Sequence, residues 1–264
     1  MPVEQLSRPQ IDARSTDTLI DRTLSVWDPR SECRFVVARP TEEPELWEAY
    51  LEGAVAGYRK YGAEKALEYR RIQGGDTTAI FFVAIEPNGS VAAGVRVQGP
   101  YLSAVQAHAI TEWSNHPGAP AVRRMIEDRL PFGVVEAKGA WVSDTAARRG
   151  ELVGALGRIA TFSMDLLDVQ FMLATAASHV LDTWRTTGGV VADHIAPVPY
   201  PDDRYETRLM WWDRSRRRGR AEAMQLSQLL LTTSRPTPSA AIATGGREEA
   251  SFGRCGASRE RNPR

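Results

Sequence analysis

The feature that most constrains this chain is a four-residue turn between two apolar runs. Thr78–Ile85 is rich in β-branched and aromatic residues, Pro87-Asn88-Gly89-Ser90 interrupts it, and Val91–Val97 is apolar again. Asn-Gly readily adopts the positive-φ conformation that a tight hairpin turn requires. The segment therefore predicts two adjacent antiparallel strands, around which the rest of the chain must be arranged.

On either side the pattern alternates between strand and helix. Residues 1–30 mix Pro, Ser, Asp and Arg and predict a mobile arm with one short helix near Thr18–Val26. Arg34–Arg39 is a short β-rich run closed by Pro40. Thr41-Glu42-Glu43-Pro44-Glu45 carries a hydroxyl cap, acids and an early proline. It starts a helix on which Leu46, Trp47, Tyr50, Leu51 and Val55 follow at helical spacing. A second helix is expected over Ala63–Ile72, stopped by Gly74-Gly75, and another around Ala121–Leu130. Val134–Val142 predicts a long strand, and a polar loop from Ser143 to Gly150 leads into a helix over Glu151–Leu167. A strand over Val169–Ala174, a helix over Ala176–Thr186 and strands at Val190–Ala192 and Tyr205–Trp212 complete the series.

After Asp213 the composition changes. Arg216-Arg217-Arg218 precedes a short amphipathic stretch, Ala221–Leu231, and the remainder is Ser, Thr, Pro, Gly and Arg, the composition of a disordered tail. The organisation expected is an arm over 1–30, one α/β domain over 31–213 and a basic tail over 214–264. Hydrophobic residues at 42% and charged residues at 25% suit a globular chain, and no apolar run is long enough to span a bilayer. The first residues lack the basic and apolar regions of a signal peptide, which points to a cytoplasmic protein. Cys33 and Cys255 show no metal or redox spacing. Only Lys60, Lys65 and Lys138 among the 33 basic residues are lysine, a usage that suggests a GC-rich bacterial genome. Eleven arginines and four acids lie from Arg214 onward, so an acidic body precedes a basic tail. The acidic body argues against nucleic acid as a partner.

The order strand, two helices, hairpin, long strand, helix, strand, helix, two strands is similar to the GNAT acyltransferase fold, a mostly antiparallel sheet flanked by helices. Three segments resemble the acyl-homoserine lactone synthases and N-acyl amino acid synthases within it: Asn88–Val97, Val135–Val142 and the stretch from Gly188-Gly189 to Met210-Trp211-Trp212. The chain departs from that pattern at three places. Gly139 stands three residues after Glu136, where the family has a second arginine. Arg148–Ala155 does not fit the phosphate-cradling glycine motif. Trp184 occupies the position of a tyrosine that protonates the leaving thiolate, and its indole only donates.

The resemblance implies candidate site residues. Glu136 lies mid-strand in an apolar run, where burial raises a carboxyl toward the range useful for a base. Arg96 closes the hairpin strand and either holds an acceptor carboxylate or pairs with Glu136 as a structural ion pair. His179, with Ser178, begins the helix after the Val169–Ala174 strand and is a candidate to assist the leaving thiolate. Gly139, Ala140 and Trp141 would offer backbone N–H groups to a thioester carbonyl, in a slot opened between the hairpin and the Glu136 strand. Arg148, Arg149 and Gly150, before a helix start, would meet a donor phosphate. His108 and His116 flank Trp113 with no carboxylate or cysteine read at ligand spacing, so no metal site is expected.

The function these imply is N-acyl transfer from a pantetheine thioester, either acyl-CoA or an acyl-carrier protein, to a small-molecule amine such as an amino acid. The alternative is a non-catalytic binding or sensing module, which would fill the slot with Trp141, Trp184 or their neighbours.

Overall fold

The computed structural model describes residues 23–216. The predicted amphipathic stretch Ala221–Leu231 and the rest of the tail beyond Arg216 lie outside them, as do residues 1–22. Eight strands form one sheet: β1 (Leu24–Asp28), β2 (Cys33–Ala38), β3 (Ile80–Ile85), β4 (Val91–Gln98), β5 (Val134–Val142), β6 (Phe171–Ala177), β7 (Val190–Val191) and β8 (Thr207–Asp213). They lie in the order β1-β2-β3-β4-β5-β6-β8-β7. Every neighbouring pair is antiparallel except β5 and β6, which are parallel. The class is the expected mixed, mostly antiparallel α/β sheet with flanking helices.

Among the described residues, seven α-helices accompany the sheet: α1 (Pro44–Lys60), α2 (Glu64–Leu67), α3 (Tyr69–Ile72), α4 (His108–Glu112), α5 (Ala119–Glu127), α6 (Arg149–Leu166) and α7 (Leu181–Arg185). One sheet face packs on α6, where Leu152, Leu156 and Phe162 meet Phe82, Val95, Met172 and Trp212. The other face carries two separate apolar clusters. Under α1, Trp47, Tyr50 and Leu51 meet Phe81, Val83 and Trp141. Near α4 and α5, Trp113, Val122 and Ile126 meet Val134, Leu173 and Trp211.

Several sequence expectations change on folding. The short helix near Thr18–Val26 is contradicted in its described part: Leu24–Asp28 is strand β1, paired in register with Cys33–Val37. The single helix over Ala63–Ile72 is two four-residue pieces, because Glu68 between them adopts a left-handed conformation with φ of 50°. The helix over Ala176–Thr186 begins later, since β8 pairs with β6 as far as Ala177. A 3-10 turn over Ser178–Val180 then precedes α7.

Candidate active site

The slot opens on the other side of β5 from the one expected. The hairpin strand β4 stays paired with β5 from Gln98↔Glu136 to Ala93↔Val142, with one irregularity between Gly94 and Arg96. On its other edge β5 pairs with β6 only over Val134–Glu136 and Phe171–Leu173. Beyond Glu136 the two strands part around a cavity of about 190 Å³. Its walls come from both strands, at Ala137 to Ala140 and Ala174 to Ala177, and its floor includes Met172 and Trp212. Small side chains on both strands leave the space open.

Gly139 shapes the upper wall. Its φ of 62° is a backbone state that other residues rarely adopt, and a Cβ there would stand 2.3 Å from the Tyr50 hydroxyl oxygen. That hydroxyl donates to the Gly139 carbonyl at 2.9 Å, which fixes the kink against α1. Gly139 and Ala140 line the cavity. Trp141 does not: its ring lies under α1, where a Cβ on Gly53 would be 2.1 Å from it. Trp184 lines the cavity and meets Trp212 edge to face at 6.3 Å.

Glu136 is fully buried, and its carboxylate already has three donors. Tyr101 donates its hydroxyl at 2.6 Å, and the His108 and Ala109 N–H groups donate at 2.7 and 3.2 Å. Glu136 therefore fastens the first turn of α4 to the sheet. It is not among the cavity-lining residues. The expected Glu136–Arg96 pair is replaced by other contacts. Arg96 lies opposite Lys138 in the ladder and donates to Gln98 at 3.1 Å and Thr78 at 3.4 Å.

Fastening α4 brings in a group that the sequence reading passed over. Glu112 stands one turn after His108, so a carboxylate does sit at ligand spacing from that histidine. Their Nδ1 and Oε1 atoms are 2.8 Å apart, and both side chains are buried. Glu112 also accepts from the Lys138 ammonium at 2.5 Å and the Thr175 hydroxyl at 2.8 Å. Lys138 donates to Thr175 at 3.2 Å, linking β5 to β6 where they have separated. On its far side His108 faces Glu68 at 3.1 Å and the Tyr200 hydroxyl at 3.2 Å. Burial alone would raise the Glu112 carboxyl, but Lys138 and His108 overcome it and hold the group well below the usual carboxylate range. Burial opposes the charge on Lys138, and the Glu112 and Glu136 carboxylates outweigh it, so the ammonium titrates above an ordinary lysine. Tyr200 is pushed up to about 12, by burial first and then by Glu112.

His108, Glu112 and Glu136 offer ligand atoms within 4.8 Å of one another, the proximity of a metal cluster. The Lys138 ammonium already supplies the cation, and the Glu136 oxygens are taken by their three donors. The donor set thus suits an internal ion pair better than a divalent ion.

The remaining predicted residues lie apart. His179 is exposed on the 3-10 turn, and Ser178 donates to the Glu206 carbonyl at 3.0 Å. Arg148 pairs with Glu32 at 2.5 Å, and Arg149, the first residue of α6, lies 3.7 Å from Asp144. Both are exposed pairs, which contribute little and release readily. Neither they nor Gly150 line the cavity.

No family model matches the chain. An uncharacterised protein of Mycobacterium tuberculosis (strain ATCC 25618 / H37Rv) is 48% identical over 208 residues, which is 79% of each chain. An uncharacterised protein of Mycobacterium bovis (strain ATCC BAA-935 / AF2122/97) matches with the same identity and coverage. The chain belongs to this mycobacterial protein family. Among solved structures, FeeM, an N-acyl amino acid synthase from uncultured soil microbes, superposes with a TM-score of 0.50 at 10% identity, covering 70% of this chain and 96% of that one. At that identity the likeness concerns the fold alone, and the chain has a GNAT-like fold. No helix among the described residues is long and apolar enough to cross a membrane.

Proposed function

We propose that the chain is an N-acyltransferase that moves an acyl group from a pantetheine thioester to a small-molecule amine. The observation that carries this reading is the parting of β5 from β6 beyond Glu136, around a cavity with an alanine-rich lining and one polar wall. Past Glu136, β5 has no ladder partner in β6, and its main-chain groups on that edge can pair with the amides of a pantetheine arm. The apolar floor at Met172 and Trp212 suits an acyl chain. A non-catalytic module would have this space filled. Here Trp141 is turned toward α1, and Trp184 lines the space without closing it.

In this reading the backbone near Gly139 faces the thioester. Tyr58, whose hydroxyl is held protonated chiefly by burial, replaces the missing tyrosine as the proton source for the departing sulfur. Glu136 acts through α4, which it anchors. Arg148 and Arg149 at the start of α6 receive the donor's phosphate after leaving their exposed carboxylate partners. The donor is acyl-CoA or an acyl-carrier protein, and the acceptor is a primary amine such as that of an amino acid.

The test is to incubate the purified full chain with acyl-CoA or acyl-carrier protein donors and a panel of amines, measuring free thiol and product mass. Equal amounts of thiol and a new N-acyl amine are expected. No amide from either donor class, by a folded protein, would overturn the reading.

A further inference from the structure

Among the described residues, Lys138 is the only charged one lining the cavity. Its side chain is 9% exposed, and its ammonium is held by two neighbours, Glu112 on α4 and Thr175 on β6. An ammonium has three N–H donors, and these contacts use two. The third has no protein acceptor among the described residues, in a space whose walls are otherwise mostly alanine, valine, methionine and tryptophan.

We propose that Lys138 is a catalytic residue of the acyl transfer, its spare N–H receiving the oxyanion that forms on the thioester carbonyl, and that Glu112 is the residue that positions it. The proposal rests on the acyltransferase reading and adds to it a side-chain electrophile beside the backbone. In the step, the amine nitrogen bonds to the carbonyl carbon and the C=O π pair moves to oxygen, where Lys138 holds it. The oxyanion then collapses, the C–S bond breaks, Tyr58 gives its proton to the departing sulfur and is restored by the proton lost from nitrogen, leaving an amide and a thiol. Lys138 keeps its own protons throughout. A fixed cation in a water-poor site stabilises such an oxyanion strongly, because it needs no reorganisation as charge develops.

The surroundings favour this role over that of an acyl acceptor. A lysine that attacks a thioester must first lose a proton. The groups facing this one are Glu112 and His108 from α4, Glu136 on its own strand, Arg96 on β4, Thr175 on β6, Tyr58 on α1 and Tyr200 from the segment before β8. The two nearest carboxylates keep the ammonium charged. Glu112 is itself aimed by His108 and Thr175, so the cation is held from behind and open toward the slot.

The test uses the full-length protein with hexanoyl-CoA and hexanoyl-carrier protein labelled with ¹³C at the carbonyl. Two quantities are read: the infrared carbonyl stretch of the bound thioester without acceptor, and the rate of thiol release with amine. The expected wild-type stretch lies below that of free thioester and returns to the free value in Lys138→Met. The same substitution should lower kcat by about 10²- to 10³-fold. Lys138→Arg should keep part of both effects. Glu112→Gln should move the alkaline limb of the kcat profile to lower pH, since the ammonium loses the carboxylate that holds its proton. Lys138→Met alone leaves Glu112 buried without its cation. The double variant Lys138→Met/Glu112→Gln removes both charges and serves as the folded comparison. A bound, turned-over thioester with the same stretch and kcat in the wild type and the double variant would remove Lys138 from the mechanism while leaving the acyltransferase intact. Failure of both thioesters to bind or react would overturn both.

Discussion

At the scale of single residues, Glu136 shows how much a buried carboxylate depends on its neighbours. Its place in an apolar strand marked it as important in the sequence. Its three donors come from residues 101, 108 and 109, in a stretch without a clear period, so its partners could not be read there. Glu136→Ala leaves the Tyr101 hydroxyl and two N–H groups of α4 without an acceptor. Each buried donor stranded in this way costs roughly 1–3 kcal/mol. A loss of about 3 kcal/mol or more is expected in urea unfolding, with Glu136→Gln intermediate. A loss below about 1 kcal/mol would mean that water reaches the site and replaces the carboxylate. The pairing with Arg96 expected from the sequence fails for a geometric reason: antiparallel register sets Arg96 opposite Lys138 and Glu136 opposite Gln98.

At the scale of elements, the contact between α1 and β5 decides where the slot lies. Gly53 and Gly57, one turn apart on α1, both face Trp141: its ring fills the space a Gly53 side chain would take, and its Cβ lies 3.3 Å from where a Gly57 Cβ would stand. This close approach draws Trp141 away from the slot, and the Tyr50 bond to Gly139 kinks the same strand. Replacing glycine by alanine inside a helix ordinarily stabilises it by about 1 kcal/mol. Gly53→Ala should do the opposite, because its Cβ would lie 2.1 Å from the Trp141 ring, and overpacking of this kind costs about 1–3 kcal/mol. A double-mutant cycle with Trp141→Leu checks the cause, since the smaller partner should recover most of the loss. Additive effects would assign the cost to α1 alone. The helical period of α1 and the glycine spacing were both in the sequence, but nothing there named the ring they admit.

At the scale of the whole molecule, the charged cluster lies on one sheet face, between the apolar cluster under α1 and the one near α4 and α5. Glu112, His108, Glu136 and Lys138 are all buried or nearly so there, which ties stability to pH. The folded-state value of Glu112 lies below the ordinary 4.5. Its contribution is therefore complete above that pH and is lost as pH falls through the depressed folded value. Lys138, raised above 10.5, contributes fully below that pH and loses its contribution only as pH rises through its higher folded value. Unfolding free energy measured below pH 4.5 should therefore fall with acid in the wild type, and less steeply in Glu112→Gln; equal slopes would show that Glu112 does not carry the acid sensitivity. Local chemistry was enough to set much of this architecture from sequence: the Asn-Gly hairpin, the helix start at Pro44, the strand Val134–Val142 and the long helix after Arg148 all depend on neighbours within a few residues. The left-handed Glu68, the strand at Leu24–Asp28 and the side on which β5 opens depend on packing between distant segments. The site was divided in the same way. Glu136, Gly139 and Ala140 were visible as a strand, and the spacing of His108 and Glu112 was present but unread. The meeting of Lys138 with Glu112 and Thr175 joins residues 26 and 37 positions apart. Only the folded sheet, with α4 anchored to it, brings a buried cation and carboxylate close enough for each to keep the other charged.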